Sequence, residues 1–288
     1  MSIGSLNWHK LENKTKTKAY LLTHPMWFFS WTSLPLFFKH KILLKQRNIE
    51  LILLNNSKRE HLFAKIMGFK SFFINQNINV CEHQFRIKPA EKKYDAIYIA
   101  AAKQYKRIHL AKLIKRLYIV TYFWPDIRDK NGKWDLHKFE PAIKHADFNN
   151  ERIDATEINK KLNESKCGLA LSKKEGAMLA VMEYLYAGLP VVSTNSIGGR
   201  DLYLHPDYSI IVKDNPLAVL NGVNNIISRN INPDIIREKT LEIVEQGRKK
   251  FFNLCKELSS DNNEFPDYEQ FKSKLWGSPI GLESNRII

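Results

Sequence analysis

Cysteine is scarce in this chain: Cys81, Cys167 and Cys255 are the only three in 288 residues, odd in number and widely spaced. That pattern suits neither a disulfide framework nor a metal site, and it points to a reducing compartment. Long apolar runs are missing as well. The most apolar early stretch, residues 26–44, is broken by Pro35 and carries Lys39, His40 and Lys41, which falls short of a membrane span. The N-terminus is polar and has no apolar run followed by small residues, so no secretory leader is expected. Acidic side chains are the other shortage, with 30 against 45 Lys and Arg and a net charge of +15. Aromatics do not interleave with the basic residues as a base-stacking platform requires, and nucleic acid is not an expected partner. The basic excess fits ordinary surface charge or attraction to anionic lipid and phosphorylated substrates. No internal repeat and no His/Asp cluster with metal-ligand spacing is visible, so neither a bound metal nor a cofactor is expected. The expected location is cytoplasmic, with peripheral contact at the inner face of an anionic membrane as an option.

The sequence does offer enough apolar residues, 44%, for a sizeable core. They fall into alternating strand-like and helix-like segments. In the first half, strands are expected at 19–23, 49–54 and 71–74. An amphipathic stretch is expected at 36–44, and a helix at 57–67 with Ser57 as its N-cap and Gly68 as its stop. A charged stretch, residues 88–93, reads as a hinge. The pattern then restarts: strand 95–100, helix 105–117, strand 118–123, an irregular aromatic-rich loop at 124–150, helix 157–165 and strand 168–172. Helix 176–186, strands 191–193 and 210–212, and a helix opening at Pro216 follow. The expected fold class is α/β, with a small N-terminal unit over 1–90, a second unit over 91–260, and a tail over 261–288 that crosses back to the first. Ligands of such parallel sheets bind beyond the carboxyl ends of the strands.

Glu183 is the only charged side chain between Glu175 and Arg200. A carboxylate in so apolar a helix is costly to bury unless something binds it. Glu175 stands eight residues earlier, just past the end of strand 168–172. The small residues Gly176 and Ala177 would let a ligand approach the first backbone N–H groups of the helix, where the dipole favours an anion. Eight residues at 1.5 Å each separate the acids by about 12 Å, roughly the scale of a folded nucleotide. Glu183 would then accept ribose hydroxyls, or else lie on a face that reaches solvent. Glu175 would face a sugar, or merely serve the helix terminus. Gly198 and Gly199 form a second loop at a strand end, open to a ligand or only a turn. Lys103, Lys106 and Arg107 follow the first strand of the second unit, where they can neutralise a departing diphosphate or form a solvated helix start. His24, in Thr23-His24-Pro25, ends a strand of the first unit and is either structural or an aid to the acceptor. Trp124, Asp126 and Arg128 are further cleft-lining candidates.

With these residues the chain resembles the large family 4 type of retaining glycosyltransferases with the GT-B fold. The likeness rests on the Glu–seven residues–Glu motif at Glu175 and Glu183, on Ala187-Gly188-Leu189-Pro190-Val191-Val192, and on the Gly198-Gly199 loop, over roughly residues 95–230. The resemblance implies two Rossmann-like domains facing across a cleft, the N-terminal one small. It also implies metal-independent hexosyl transfer from a nucleotide-diphosphate-sugar to a glycan or lipid-linked acceptor, with surface polysaccharide or glycolipid assembly as the setting. Glu175 would contact the donor sugar, Glu183 the ribose, residues 176–178 the sugar and diphosphate, and Lys106 the phosphates. The arginine such enzymes carry five residues before that lysine is Ala101 here. That departure, and the short first unit, keep a non-catalytic nucleotide-sugar-binding or partner subunit in view. A nucleotide-sugar epimerase or sugar phosphorylase is a weaker match, because the chain shows no second acid/base pair and no pyridoxal signal.

Overall fold

Two parallel sheets organise the chain, and their carboxyl edges meet. The structure, a computed structural model, describes residues 18–25, 28–122, 128–259 and 265–277. The first sheet has the order β1-β2-β3, with β1 at Ala19–Thr23, β2 at Ile49–Asn55 and β3 at Lys70–Phe73. Helices α1 (Leu34–Lys45) and α2 (Lys58–Ile66) supply its crossovers. The second sheet contains β4 (Ala96–Ile99), β5 (Leu117–Val120), β6 (Asp147–Phe148), β7 (Gly168–Ala170), β8 (Val191–Thr194) and β9 (Ser209–Val212), in the order β6-β5-β4-β7-β8-β9. Its helices are α3 (Leu136–Phe139), α4 (Ala155–Asn163), α5 (Leu179–Tyr186), α6 (Pro216–Ser228) and α7 (Pro233–Leu258); α8 (Tyr268–Trp276) follows. Every ladder pairing between strands is parallel. This is the α/β arrangement that the alternating pattern predicts.

Local chemistry sets several boundaries where the sequence suggests them. Ser57 caps α2 by accepting the Glu60 N–H at 3.2 Å, and its hydroxyl donates to the Glu60 carboxylate at 2.8 Å. Gly68 ends the turn after α2 at φ 76°. Asn215 caps α6 through the Ala218 N–H at 2.8 Å, and Pro216 takes the first helical position.

Three expectations fail for physical reasons. The stretch predicted as a helix over 105–117 is instead two short 3-10 turns, Gln104–Lys106 and Ile108–Ala111. Arg107 separates them in the left-handed region at φ 53°, and the Lys106 carbonyl accepts from the Tyr98 hydroxyl at 2.6 Å rather than from a helical N–H. The helix predicted from Gly176 starts at Leu179, because the backbone of 175–176 is bonded to a neighbouring loop. Finally, α1 is not amphipathic: Leu34, Phe37, His40 and Leu44 are buried, yet Leu36, Ile42 and Leu43 stand exposed on its other side.

Strand β2 is buried on both faces, as a central parallel strand should be. Leu51 and Leu53 pack with Phe29, Phe37, Leu44 and Ala64 beneath α1 and α2. Ile52 and Leu54 point the other way, into a cluster with Ile74, Ile78, Leu254 and Trp276. The second face of this small sheet is thus covered by the end of α7 and by α8, not by helices of its own half. Sequence periodicity did not single out α7, the longest helix among the described residues. Buried Arg248 of α7 grips Glu82 through two 2.7 Å bonds and the Ile78 carbonyl at 3.1 Å. Arg237 donates to the carbonyls of Phe85 and Glu82 at 2.8 and 2.9 Å. Asn159 and Asn163 of α4 hold the backbone N–H groups of Arg86 and Lys88 at 2.9 and 2.7 Å. The segment between the sheets is therefore tied down on two sides.

Trp276 is 2% exposed, donates to Asn79 at 3.1 Å, and lies under the Arg248 guanidinium. Trp276→Ala is expected to lower stability by about 3–5 kcal/mol in urea unfolding. A loss below about 1 kcal/mol would show that α8 does not hold the first sheet.

Candidate functional site

The carboxyl ends of β4, β7 and β8 converge on a buried charge pair. The Lys106 amine contacts the Glu175 carboxylate, and each residue is under a tenth exposed. The Ser172 hydroxyl donates to the same Glu175 oxygen at 2.7 Å. Lys106 is carried by the turn after β4, with its carbonyl held by Tyr98 and its amine 5.3 Å from the centre of the Tyr105 ring. Desolvating two charges costs several kcal/mol per ion before their mutual attraction is counted, so such a pair persists only with further hydrogen bonds around it. Ser172 supplies one to the carboxylate, and Tyr98 fixes the backbone that carries the lysine. Neither was apparent from the sequence, although a hydroxyl three residues before Glu175 was a readable signal.

Glu175 does not sit on the first turn of a helix. It occupies a turn braced by a second loop: its N–H donates to the Ile197 carbonyl at 3.1 Å, and the Gly199 N–H donates to the Gly176 carbonyl at 2.7 Å. Met178, in the left-handed region at φ 53°, closes the turn and opens α5. Gly198 is required here, because a Cβ on it would lie 1.6 Å from the Glu175 carbonyl oxygen. A Cβ on Gly199 would lie 2.2 Å from the Asn56 carbonyl oxygen of the first unit. Both glycines thus serve close approach of backbone to backbone. Glu183 lies buried one helical turn or more inside α5, and the 12 Å separation expected from an unbroken helix does not apply.

Two arginines lock the strand ends beneath this turn. Arg107 donates to the Leu171 carbonyl at 2.6 Å, Thr194 Oγ1 at 2.7 Å and Asp214 at 2.6 Å. Arg200, fully buried, donates to the Ala170 and Ser172 carbonyls at 2.9 Å each. Lys103 is half-buried nearby, and Ala101 is buried.

Asparagines from the first unit complete the site, and the sequence reading missed them. Asn75 donates to the Asn56 and Gly199 carbonyls at 2.9 Å each, and Asn77 donates to the Ala177 carbonyl at 3.0 Å. All three are buried. Their clustering just after β2 and β3 was visible in the sequence, but carbonyl partners 100 and 124 positions away were not. The Lys174 amine adds a contact 4.9 Å above the Phe28 ring.

His24 follows β1 on the same edge of the first sheet. Its Nε2 lies 3.1 Å from the Ile74 carbonyl. A carbonyl only accepts, so Nε2 carries the proton and Nδ1 of the neutral ring is an acceptor. Loss of water around the ring lowers its pKa to about 4, against the opposing effect of the Ile74 bond. Arg128 is exposed and bonded to the Gly132 carbonyl, whereas Trp124 and Asp126 lie outside the described residues. Among the described residues no group of three or more His, Cys, Asp and Glu is placed to hold a metal ion, and no helix is long and apolar enough to cross a membrane.

No protein-family model matches the chain, and no curated protein matches it. Solved structures do. TarM of S. aureus superimposes with a TM-score of 0.59 at 17% identity, over 82% of this chain and 50% of TarM. HepE of Anabaena, solved with UDP, gives 0.63 at 13% identity over 83% of this chain and 72% of HepE. The pneumococcal O-GlcNAc transferase GtfA, solved with UDP and GlcNAc, gives 0.60 at 11% identity over 88% of this chain and 55% of GtfA. The chain therefore spans about half the length of TarM and GtfA. What it shares with these proteins is the fold, the GT-B arrangement of two Rossmann-like units facing each other, here with a small first unit.

Proposed function

We propose that this chain is a retaining glycosyltransferase, moving a hexosyl group from a nucleotide-diphosphate-sugar to a hydroxyl of a glycan or lipid-linked acceptor in surface polysaccharide or glycolipid synthesis. The observation that carries the reading is the buried Lys106–Glu175 pair at the carboxyl edge of the second sheet. It lies where parallel sheets bind ligands, on a fold shared with proteins solved with UDP and sugar. In this reading the donor diphosphate takes over Lys106 and draws on Lys103, with Arg107 setting the strand ends beneath it. Gly176, Ala177, Met178, Gly198 and Gly199 lie along the sugar and diphosphate, and Glu183 accepts the ribose hydroxyls. The bond from the anomeric carbon to the phosphate oxygen breaks as the acceptor oxygen adds on the same face. The acceptor's proton passes to the departing phosphate, and the nucleoside diphosphate leaves. Glu175 then faces the positive charge that develops at the anomeric carbon. No step draws on a protein nucleophile or a metal.

A second reading, a nucleotide-sugar-binding partner without turnover, is favoured by Ala101 and by the commitment of Arg107 to Leu171, Thr194 and Asp214. Turnover separates the two.

A thermal-shift panel of UDP-, GDP-, ADP- and dTDP-sugars is expected to show saturable stabilisation by one donor. Glu175→Ala would strand the Lys106 charge, so Glu175→Gln, which keeps an oxygen for Ser172, is the cleaner variant. It is expected to bind that donor and lose transfer by about a hundredfold or more. Glu183→Ala is expected to weaken donor binding by about 10–100-fold. Full activity in both variants would overturn the site assignment, and stabilisation without transfer or hydrolysis in the wild type would select the second reading.

Neutral His24, with Nδ1 as an acceptor, has the chemistry to assist the acceptor hydroxyl. Its ring stays neutral in the folded state down to about pH 4, whereas an unfolded histidine takes up a proton near 6.5. The unfolded state thus binds more protons in between, and stability falls as pH drops through that window. Urea midpoints are expected to decline from pH 6.5 towards 4 more steeply in the wild type than in His24→Gln. Parallel curves would show that the ring is not held neutral.

A further inference from the structure

We propose that the outer face of α1 and α2 is a docking surface for an anionic lipid bilayer. Both helices pack on the same face of the first sheet, through Leu34, Phe37, Leu44 and Ala64, so their outer faces look the same way. Those faces carry Trp31, Leu36, Ile42, Leu43, Leu62 and Ile66, each between 41% and 69% exposed. Seven of the fifteen large exposed hydrophobics among the described residues fall within residues 31–66, and the other eight are scattered through the rest of the chain. Trp31 stands 5.0 Å from Phe63, which makes the patch continuous from the start of α1 to α2. Contiguous exposure on this scale marks an interaction surface rather than a chance distribution.

Charge identifies the occupant. Lys39, Lys45, Lys58, Arg59 and Lys65 are exposed on the same two helices. The only carboxylate there, Glu60, is fully buried, holding the Phe29 N–H at 2.8 Å. A face that joins aromatic and aliphatic side chains to lysines, with no exposed acid, complements a surface with negative headgroups above an apolar interior. The feature also accounts for α1 being apolar on both sides. Its length of 12 residues is too short to span a membrane but suits a helix lying in the interface.

The test is co-sedimentation of the full chain with vesicles of equimolar phosphatidylglycerol and phosphatidylcholine, against vesicles of phosphatidylcholine alone. The wild type is expected to bind the anionic vesicles at least ~10-fold more tightly, and to release them as salt is raised. The double variant Ile42→Glu/Ile66→Glu, altered only at exposed positions, is expected to keep its unfolding temperature and lose vesicle binding by a similar factor. Lys39→Glu/Lys65→Glu is expected to abolish the preference for anionic vesicles. Equal binding to both vesicle types, no binding by the wild type, or unchanged binding by the variants would overturn the proposal. So would a wild-type dimer that Ile42→Glu/Ile66→Glu dissolves without any vesicle binding, because the face would then cover a second copy of the chain.

Discussion

The buried contact between Lys106 and Glu175 is the constraint around which the rest of the molecule is arranged. Two opposite charges out of water hold together only if the polypeptide fixes both ends and supplies additional hydrogen bonds. Ser172 bonds the carboxylate, Tyr98 holds the lysine's backbone, and Arg107 and Arg200 bond the ends of β7 and β8 beside them. An arriving diphosphate would exchange one anionic partner of the lysine for another. The carboxylate would then be left facing the sugar without any large movement of the scaffold. On that reading the pair is a pre-organised site whose unliganded state is already satisfied.

The first unit contributes in a different way. Its three strands are too few to build a sandwich with their own two helices, and the chain returns through α7 and α8 to cover the other face. The same return clamps the linker, with Arg237 and Arg248 gripping residues 78–85. Asn75 and Asn77 then donate to the Gly199 and Ala177 carbonyls of the second unit, so the small unit touches the candidate site through its asparagine side chains. Its outer surface, free of that task, is the face that carries the lysines and exposed apolar side chains.

Much of the fold was legible because it is local. Ser57, Gly68, Asn215 and Pro216 carry their capping chemistry in the sequence, and alternating apolar runs marked most of the strands. What failed depended on distant partners. Nothing near Arg107 announces that its guanidinium will be drawn to Asp214, or that Gly176 will bond a loop more than twenty residues on. The helix predicted over 105–117 and the early start of α5 were lost to those long-range bonds. For the candidate site, residue type and spacing singled out Glu175, Glu183 and the basic cluster around Lys106, and of these the structure brings Glu175 and Lys106 into contact. The glycines were read as room for a ligand, whereas the structure fills that room with the carbonyls of Glu175 and Asn56.

The claim that the Lys106–Glu175 centre is the donor site is tested most directly by a crystal structure of the complex with the nucleoside diphosphate of whichever donor binds. The account predicts phosphate oxygens within hydrogen-bond reach of the Lys106 amine, ribose hydroxyls on Glu183, and Glu175 turned to the empty sugar position. A nucleotide bound elsewhere, with the lysine still paired to Glu175, would contradict it.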